Sequence, residues 1–157
     1  MIKRIVLGLF IVFVLIQLYR PSRENPPVDQ AKTIEQSIAI PRNVETILSR
    51  SCNDCHSSKT VWPWYSNIAP MSWLLADHVK DGRKELNFSE WGDFSPRRKR
   101  RKLEELCEQV NKGHMPIDSY VWLHRDAKLS PAERNLLCDW VNGEKAKIGT
   151  NYNTVAR

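Results

Sequence analysis

The sequence is poor in the residues that build most metal and redox sites. It has 4 Cys and 4 His in 157 residues, and Cys107 and Cys138 stand alone, 31 positions apart. A structural zinc site needs four ligands, usually supplied as two closely spaced pairs, so this class of site is disfavoured. No alternating or β-branched run indicates the βαβ unit that would hold a thioredoxin-like cysteine pair.

Long apolar runs are scarce as well. Only residues 5–18 are almost continuously apolar, with Gln17 as the polar member, and Lys3 and Arg4 precede them. With its flanks the run reaches 18 residues, which is near the lower limit for a membrane-spanning helix. No second run or internal repeat follows, so we predict that the remaining chain forms one soluble domain.

The residues after this run decide whether it is removed. Tyr19, Arg20 and Pro21 make a poor signal-peptidase site, because cleaved peptides end in small residues. We therefore predict an uncleaved signal anchor over residues 1–20, with a cleaved signal peptide as the alternative.

Composition divides the rest of the chain. Residues 21–38 are rich in proline and polar residues and are predicted to be a flexible linker. Residues 39–145 are predicted to be the folded domain, and residues 146–157 a disordered tail.

One short motif carries most of the chemistry. Cys52 and Cys55 are separated by two residues and followed at once by His56, which is the attachment pattern for c-type haem. The thiols would form thioethers with the haem vinyl groups, and the imidazole would bind iron as the proximal ligand. Bacteria attach this cofactor on the exported side, so we expect a single-pass inner-membrane protein with its domain in the periplasm.

Helical periodicity covers most of the domain and predicts an all-α fold. Four apolar stripes are formed by Val44, Ile47, Leu48 and Cys52, by Leu74, Leu75, His78 and Val79, by Leu103, Leu106, Cys107 and Val110, and by Leu136, Leu137, Trp140 and Val141. Proline and serine favour helix starts, and glycine favours helix ends. The signals are Pro70 or Ser72 with Gly82, Ser95-Pro96 with Gly113, and Ser130-Pro131-x-Glu133 with Gly143.

Further motifs follow the haem motif in order through nearly the whole domain. They are Cys52-Asn-Asp-Cys55-His56-Ser57, Trp62-Pro-Trp64-Tyr65-Ser66-Asn-Ile68-Ala69-Pro70, Ser72-Trp73, Gly82-Arg83, Leu86-Asn87-Phe88-Ser89-x-Trp91, Gly113-x-Met115-Pro116, and Tyr120-x-x-x-His124-x-x-Ala127-x-Leu129-Ser130-x-x-Glu133. With these motifs the chain resembles the bacterial haem-binding-domain family of small, single-haem, cytochrome c-like proteins. The resemblance implies one covalent haem c in a helical fold and says little about partners.

The sixth iron ligand has several candidates. Met115 is favoured, because Pro116 disfavours helix before it and a methionine paired with histidine is the ligation of cytochromes c. His78, His114 and His124 are the alternatives, together with an open or water-bound iron.

Other residues are predicted to shape the haem pocket. Trp62, Trp64 and Tyr65 are expected to wall the haem edge, and their polar groups could reach a propionate. A Pro70 carbonyl is expected to accept the second ring N–H of the proximal histidine. Arg83 is the predicted propionate partner on grounds of charge.

Two features remain outside the pocket. Residues 97–102 are six consecutive cations, interpreted as a solvated helix face in preference to a site for anionic lipid or an acidic partner. Nucleic acid is not an expected partner of an exported chain. Cys107 and Cys138 are expected to be free buried thiols, with a disulfide as the alternative.

The combined prediction is a membrane-tethered electron carrier and not an enzyme. The alternative is a haem-based sensor or a peroxidase-like enzyme whose distal ligand is open or displaceable. No acid/base pair of the peroxidase type is recognisable in the sequence. The redox partner and the oligomeric state are not identified by any motif.

Overall fold

The structure, a computed structural model, describes the backbone of residues 1–155 and the side chains of residues 1–148. Over these residues it is all-helical and has no strand, which confirms the predicted class. The α-helices are α1 (Ile2–Ile16), α2 (Ile34–Ser37), α3 (Arg42–Ser51), α4 (Asn53–His56), α5 (Met71–Glu85), α6 (Pro96–Asn111), α7 (Asp118–Leu123) and α8 (Pro131–Val155). Short 3-10 segments occur at Gln30–Lys32, Trp64–Asn67, Phe88–Asp93 and Arg125–Ala127.

The predicted stripes of α3, α6 and α8 form the core. Leu103 and Val110 from α6 pack with Leu137 and Val141 from α8, and α3 adds Val44, Ile47 and Leu48. Each side chain is nearly excluded from water, which contributes roughly 1.5–3 kcal/mol per residue. These three helices therefore form the packed core of the domain, and the shorter elements pack around it.

The prediction of free thiols at Cys107 and Cys138 is wrong. The two residues form a disulfide between α6 and α8, with their Cα atoms 5.1 Å apart. The packing of the two helices brings both cysteines to the seam, since Cys138 is buried next to Leu137. That proximity depends on helix packing and could not be obtained from either stripe alone.

Helix starts follow the predicted signals. The Ser95 hydroxyl accepts a hydrogen bond from the Arg98 N–H and caps α6, with Pro96 as its first residue. Ser130 and Glu133 form a reciprocal capping box on α8, with distances of 2.8 Å (Ser130 N to Glu133 Oε2) and 3.2 Å (Glu133 N to Ser130 Oγ).

Two of the three predicted glycine stops are wrong. Gly113, with φ of +72°, does follow α6, as glycine commonly does past a helix end. Gly82 and Gly143 lie inside α5 and α8. The predicted tail 146–157 is helical as far as Val155, and residues 156 and 157 lie outside the described part of the chain.

The predicted flexible linker is also only partly correct. Within residues 21–38, Gln30–Lys32 and α2 are helical, and Thr33 and Ile34 are buried. Ile34 joins the core next to the Phe88–Asp93 segment, and the Lys32 backbone packs against Gly92. The prolines of this range all lie within residues 21–27. The composition of residues 21–38 as a whole therefore did not reveal that residues 30–37 are mostly helical and partly buried.

Helix α1 stands apart from this core. It has 15 residues, and none of them is buried. Among the described residues, no helix combines the length and the apolar character needed to cross a membrane.

Candidate haem site

The haem motif begins where α3 ends and forms the single-turn helix α4. The core stripe of α3 fixes its last turn, and Cys52 follows as the residue where α3 ends and α4 begins. The Cys52 carbonyl accepts hydrogen bonds from the N–H groups of Cys55 (3.2 Å) and His56 (2.9 Å). The sequence spacing therefore becomes one compact turn that carries both thiols and the imidazole.

The His56 ring is held in one tautomer. Its Nδ1 lies 3.0 Å from the Gly82 carbonyl oxygen and 3.1 Å from that of Leu86. Carbonyl oxygens only accept hydrogen bonds, so Nδ1 carries the proton and Nε2 keeps its lone pair for a metal. Burial lowers the pKa of His56, and the two carbonyls partly oppose that shift.

These carbonyls correct the prediction for Pro70. Pro70 is exposed and precedes the first turn of α5, whereas the groups that hold the imidazole come from the last turns of the same helix. A proline loop was the expected partner because of its position after the motif. The actual partner is fixed by how α5 crosses α4.

Gly82 makes that crossing possible. A Cβ at this position would lie 2.5 Å from the Cys55 carbonyl oxygen and 3.0 Å from Cys55 Cβ. Only a glycine lets the α5 backbone approach the motif closely enough for its carbonyl to reach His56. Sequence reasoning interpreted Gly82 as a helix end and missed this role.

The environment of the thiols differs from that of a redox-active pair. Burial raises the pKa of Cys52 to about 12 and that of Cys55 to about 11. Catalytic Cys-x-x-Cys pairs and zinc thiolates have lowered pKa values. Among the described residues, no group of three or more His, Cys, Asp or Glu side chains could hold a metal ion.

Two cavities meet at the motif. The larger, about 440 Å³, is lined by Ser51, Cys52, His56, Glu85, Leu86, Phe88, Lys102, Glu105, Leu106, Gln109, Val110 and Met115. The smaller, about 180 Å³, is lined by Ser51, Cys55, His56, His78, Asp81, Gly82, Glu85, Met115, Pro116, Ile117 and Tyr120. Both volumes border His56 and Met115, and each borders one of the two thiols.

The candidates for the sixth ligand are separated by this geometry. Met115 lines both cavities and is 37 % exposed, and His78 lines the smaller one. His114 is exposed, with Nδ1 3.1 Å from Gln109 Oε1. His124 stacks on the Tyr120 ring at 4.2 Å between centroids and borders neither cavity.

Comparison with known families agrees with this site. The family described as "Haem-binding domain" matches residues 11–143. The chain belongs to this haem-binding domain family. No curated protein and no solved structure matches the chain at a significant level.

The residues around the cavities suit the haem that the family binds. The larger volume lies in the range of small-ligand sites, about 300–1,000 Å³. Leu86, Phe88, Leu106 and Val110 give it apolar walls, as a porphyrin face requires. The unused Nε2 of His56 is the nitrogen that an iron would need.

The predicted aromatic wall lies elsewhere for the most part. Neither Trp62 nor Trp64 borders the two cavities, and Trp64 is 75 % exposed. Tyr65 lines a separate crevice beside Cys55, and its hydroxyl lies 3.3 Å from His124 Nε2. Trp64 and Tyr65 belong to the 3-10 segment Trp64–Asn67, and none of the three aromatic residues lines the larger cavity.

Arg83 is likewise not placed as a propionate partner. Its Nε donates to the Ser57 carbonyl (2.8 Å) and its Nη2 to Thr60 Oγ1 (2.8 Å), while further bonds reach Glu24 and Asn25. The guanidinium therefore joins the loop after the motif to the segment before α2. Charge alone could not distinguish this role from anion binding.

The cation that does reach the larger cavity is Lys102. Its side chain is only 9 % exposed, and its Nζ pairs with Glu105 (2.7 Å) and Glu85 (3.5 Å). Of the other cations in the run 97–102, Arg98 lies over the Phe94 ring and Arg101 pairs with Glu105. The interpretation of a solvated face holds for Arg97, Arg98, Arg100 and Arg101, which are exposed, and fails for Lys102.

A second group that sequence reasoning missed fixes the spacer of the motif. The Tyr120 hydroxyl donates to Asp54 Oδ2 at 2.8 Å, and Asp54 Oδ1 accepts the Val61 N–H at 3.0 Å. Burial, followed by the Asp54 carboxylate, raises the pKa of Tyr120, so the phenol stays a donor. The only hint of this role in the sequence is the spacing of Tyr120 and His124, which lie four residues apart.

Proposed function

We propose that the protein is a membrane-anchored periplasmic c-type cytochrome with a cytochrome c-like fold, one that binds a single haem covalently and carries single electrons. The observation that supports this most is the His56 imidazole, whose Nδ1–H is held by two carbonyls while Nε2 stays available. It stands on the turn that carries Cys52 and Cys55, the thioether positions of the motif.

Each residue then has a task. Cys52 and Cys55 would attach the haem, His56 would bind its iron, and Met115 would provide the second protein ligand to the iron from the loop after α6. Bound haem iron would supply a one-electron couple, and thioether ligation would raise its reduction potential. The apolar residues of the larger cavity would lower the polarity around the iron, which would favour the less charged ferrous state.

Covalent attachment is tested by extraction. Protein produced with a c-type haem maturation system should keep its haem after acid–acetone treatment, because thioether bonds survive it. The variant Cys52→Ala/Cys55→Ala should have no covalent haem. Haem that stays with this variant after extraction would refute the assignment of the thiols.

A haem-based sensor or peroxidase-like enzyme is the second candidate. The 37 % exposure of Met115 favours it, because a ligand on an open loop is easily displaced. Carbon monoxide separates the two functions. A six-coordinate carrier should bind it slowly or not at all in the ferrous state, whereas rapid binding by the wild type would favour the sensor or enzyme.

Anchoring rests on α1, whose 15 residues are apolar apart from Lys3 and Arg4 near its start, and none of them is buried. The mature chain should stay in the membrane fraction with residues 1–19 intact. An N-terminus near Arg20 or later would instead indicate a released periplasmic protein.

A further inference from the structure

The end of α1 is bonded to the haem domain and is not a free tether. The Ala69 N–H donates to Gln17 Oε1 at 2.9 Å, and Gln17 Nε2 donates to the Ala69 carbonyl at 3.2 Å. Two residues later, the Tyr19 carbonyl accepts the Trp73 indole N–H at 3.0 Å. The Tyr19 and Trp73 rings also meet edge to face, with centroids 5.8 Å apart.

The chain that follows α1 continues this attachment. Arg23 Nη1 donates to the Ser66 carbonyl at 3.0 Å and to its hydroxyl at 3.2 Å. Arg83 Nη2 then holds Asn25 Oδ1 at 2.6 Å. Because residues 17–25 are bonded to the domain at several points, the direction of α1 fixes the orientation of the domain.

The described part of the chain leaves four apolar side chains exposed on or next to the segments that form the joint. Leu18 is 80 % exposed, Trp64 75 % and Ile68 39 %, and the exposed Tyr19 lies against Trp73. We call these five residues the collar. Arg20, which is exposed, sits beside them in sequence.

The length of α1 indicates what covers the collar. Its 15 residues rise about 22 Å at 1.5 Å per residue, while the hydrocarbon core of a bilayer is about 30 Å thick. A helix this short draws whatever is fixed to its end towards the hydrocarbon boundary. Tryptophan and tyrosine favour that boundary, and arginine favours the phosphate level just outside it.

We propose that the collar is a membrane-binding surface that sits at the lipid headgroup level and holds the haem domain in one orientation against the bilayer. This rests on the membrane attachment proposed above. The continuity of the collar with the exposed apolar surface of α1 selects lipid as its occupant, ahead of a protein partner or a second copy. One face of the domain is then turned towards the membrane, and the remainder is presented to redox partners.

The test uses the full-length haem protein in lipid nanodiscs that hold one copy each. Ile68→Cys places a single reactive thiol in the collar, because Cys52 and Cys55 carry haem and Cys107 is bonded to Cys138. Asp139→Cys, at an exposed position of α8, is the control. The rate at which a charged maleimide alkylates each of the two thiols is measured in the discs. Each rate is divided by the rate of the same variant in urea, which corrects for the intrinsic reactivity of the thiol.

The collar thiol should react several-fold more slowly than the control thiol, and adding Trp64→Ser to Ile68→Cys should raise its rate. Equal rates in discs that retain the protein would overturn the collar while leaving the anchor intact. Protection seen only in discs with two copies would assign the surface to a dimer and overturn the lipid proposal. Loss of the protein from the discs would refute the anchor itself, and with it the collar.

The joint is tested separately with Gln17→Leu/Trp73→Phe in the Ile68→Cys chain. This pair removes the hydrogen bonds to Ala69 and Tyr19 and leaves an apolar side chain at both positions. Protection at residue 68 should fall towards the control value, while the visible spectrum of the haem reports an unchanged domain. Unchanged protection would overturn the role of the joint in orienting the domain.

Discussion

His56 and Met115 border the same two cavities, but the protein holds them in different ways. His56 is mostly buried on a helical turn, with Nδ1 bonded to two carbonyls and Gly82 packed against the motif. Met115 is 37 % exposed on the loop between α6 and α7. The position of His56 is thus set by backbone packing, whereas the position of Met115 depends on a loop.

The difference has a physical reason. A proximal ligand must present one nitrogen in one tautomer, so its second ring nitrogen needs a fixed partner. A thioether has no proton to place and three rotatable bonds, so it tolerates a looser setting. We expect changes on the His56 side to affect folding and haem content, and changes on the Met115 side to affect spectrum and potential.

The largest effect should come from Gly82→Ala. Its Cβ would lie 2.5 Å from the Cys55 carbonyl oxygen, so α5 must move away from the motif, at a cost of about 4 kcal/mol. Gly143→Ala is the matched control, because its Cβ meets nothing within 4 Å and a helical alanine is about 1 kcal/mol more favourable than glycine. Urea unfolding of both variants measures this, and equal midpoints would show that the crossing is not tight.

The second largest effect should come from removing the disulfide between α6 and α8. Cys107→Ala/Cys138→Ala opens a link spanning 31 residues, which should lower the free energy of unfolding by roughly 3–4 kcal/mol. Thiol titration of the denatured wild type is the companion measurement. Two titratable thiols in the haem-loaded wild type, together with unchanged stability of the variant, would contradict the disulfide.

The sequence could predict these elements to different extents. The Cys52 to His56 motif, the stripes of α3, α6 and α8, and the Ser95 and Ser130 caps are local patterns, and each was predictable. Gly82, the disulfide and Arg83 depend on contacts between segments far apart in the chain. The sequence does not distinguish a glycine that ends a helix from a glycine that allows two helices to approach closely. It likewise does not distinguish an arginine that binds an anion from an arginine that donates to backbone carbonyls.

A smaller change in stability but a clear electronic effect is expected for Met115→Leu. Loss of the thioether should lower the reduction potential, because thioether ligation favours ferrous iron. The free energy of unfolding should change by less than about 1 kcal/mol, since the side chain is partly exposed. Redox titration against Met71→Leu as control measures this. An unchanged spectrum and potential would transfer the sixth position to His78, which lines the smaller cavity.

The smallest effect concerns the ion pair between Arg50 of α3 and Glu133 of α8. Glu133 accepts hydrogen bonds from the Ser130 N–H at 2.8 Å and from Arg50 Nη2 at 2.6 Å, and these bonds, the first most of all, lower its pKa to about 2. Because the folded pKa is lowered, the stabilisation is present above pH 4.5 and is lost as the pH falls through about 2. Glu133→Gln should cost about 1 kcal/mol at neutral pH and much less at pH 2.

The control for the ion pair is Glu104→Gln, which removes an exposed carboxylate paired with the partly buried Lys145. Its effect at neutral pH should be smaller than that of Glu133→Gln, because the solvated Glu104 side chain is 63 % exposed and such carboxylates contribute little. Urea midpoints at the two pH values give the comparison. If Glu133→Gln lowers the urea midpoint equally at neutral pH and at pH 2, the ionised carboxylate is not the source of the stabilisation.

We expect the protein to fix the His56 tautomer before haem is present. Nitrogen-15 NMR of histidine-labelled, haem-free Cys52→Ala/Cys55→Ala protein tests this directly, with His56→Gln to assign the signal. The spectrum should show a proton on Nδ1 and an unprotonated Nε2 at neutral pH. A proton on Nε2, or rapid averaging between the two tautomers, would contradict it.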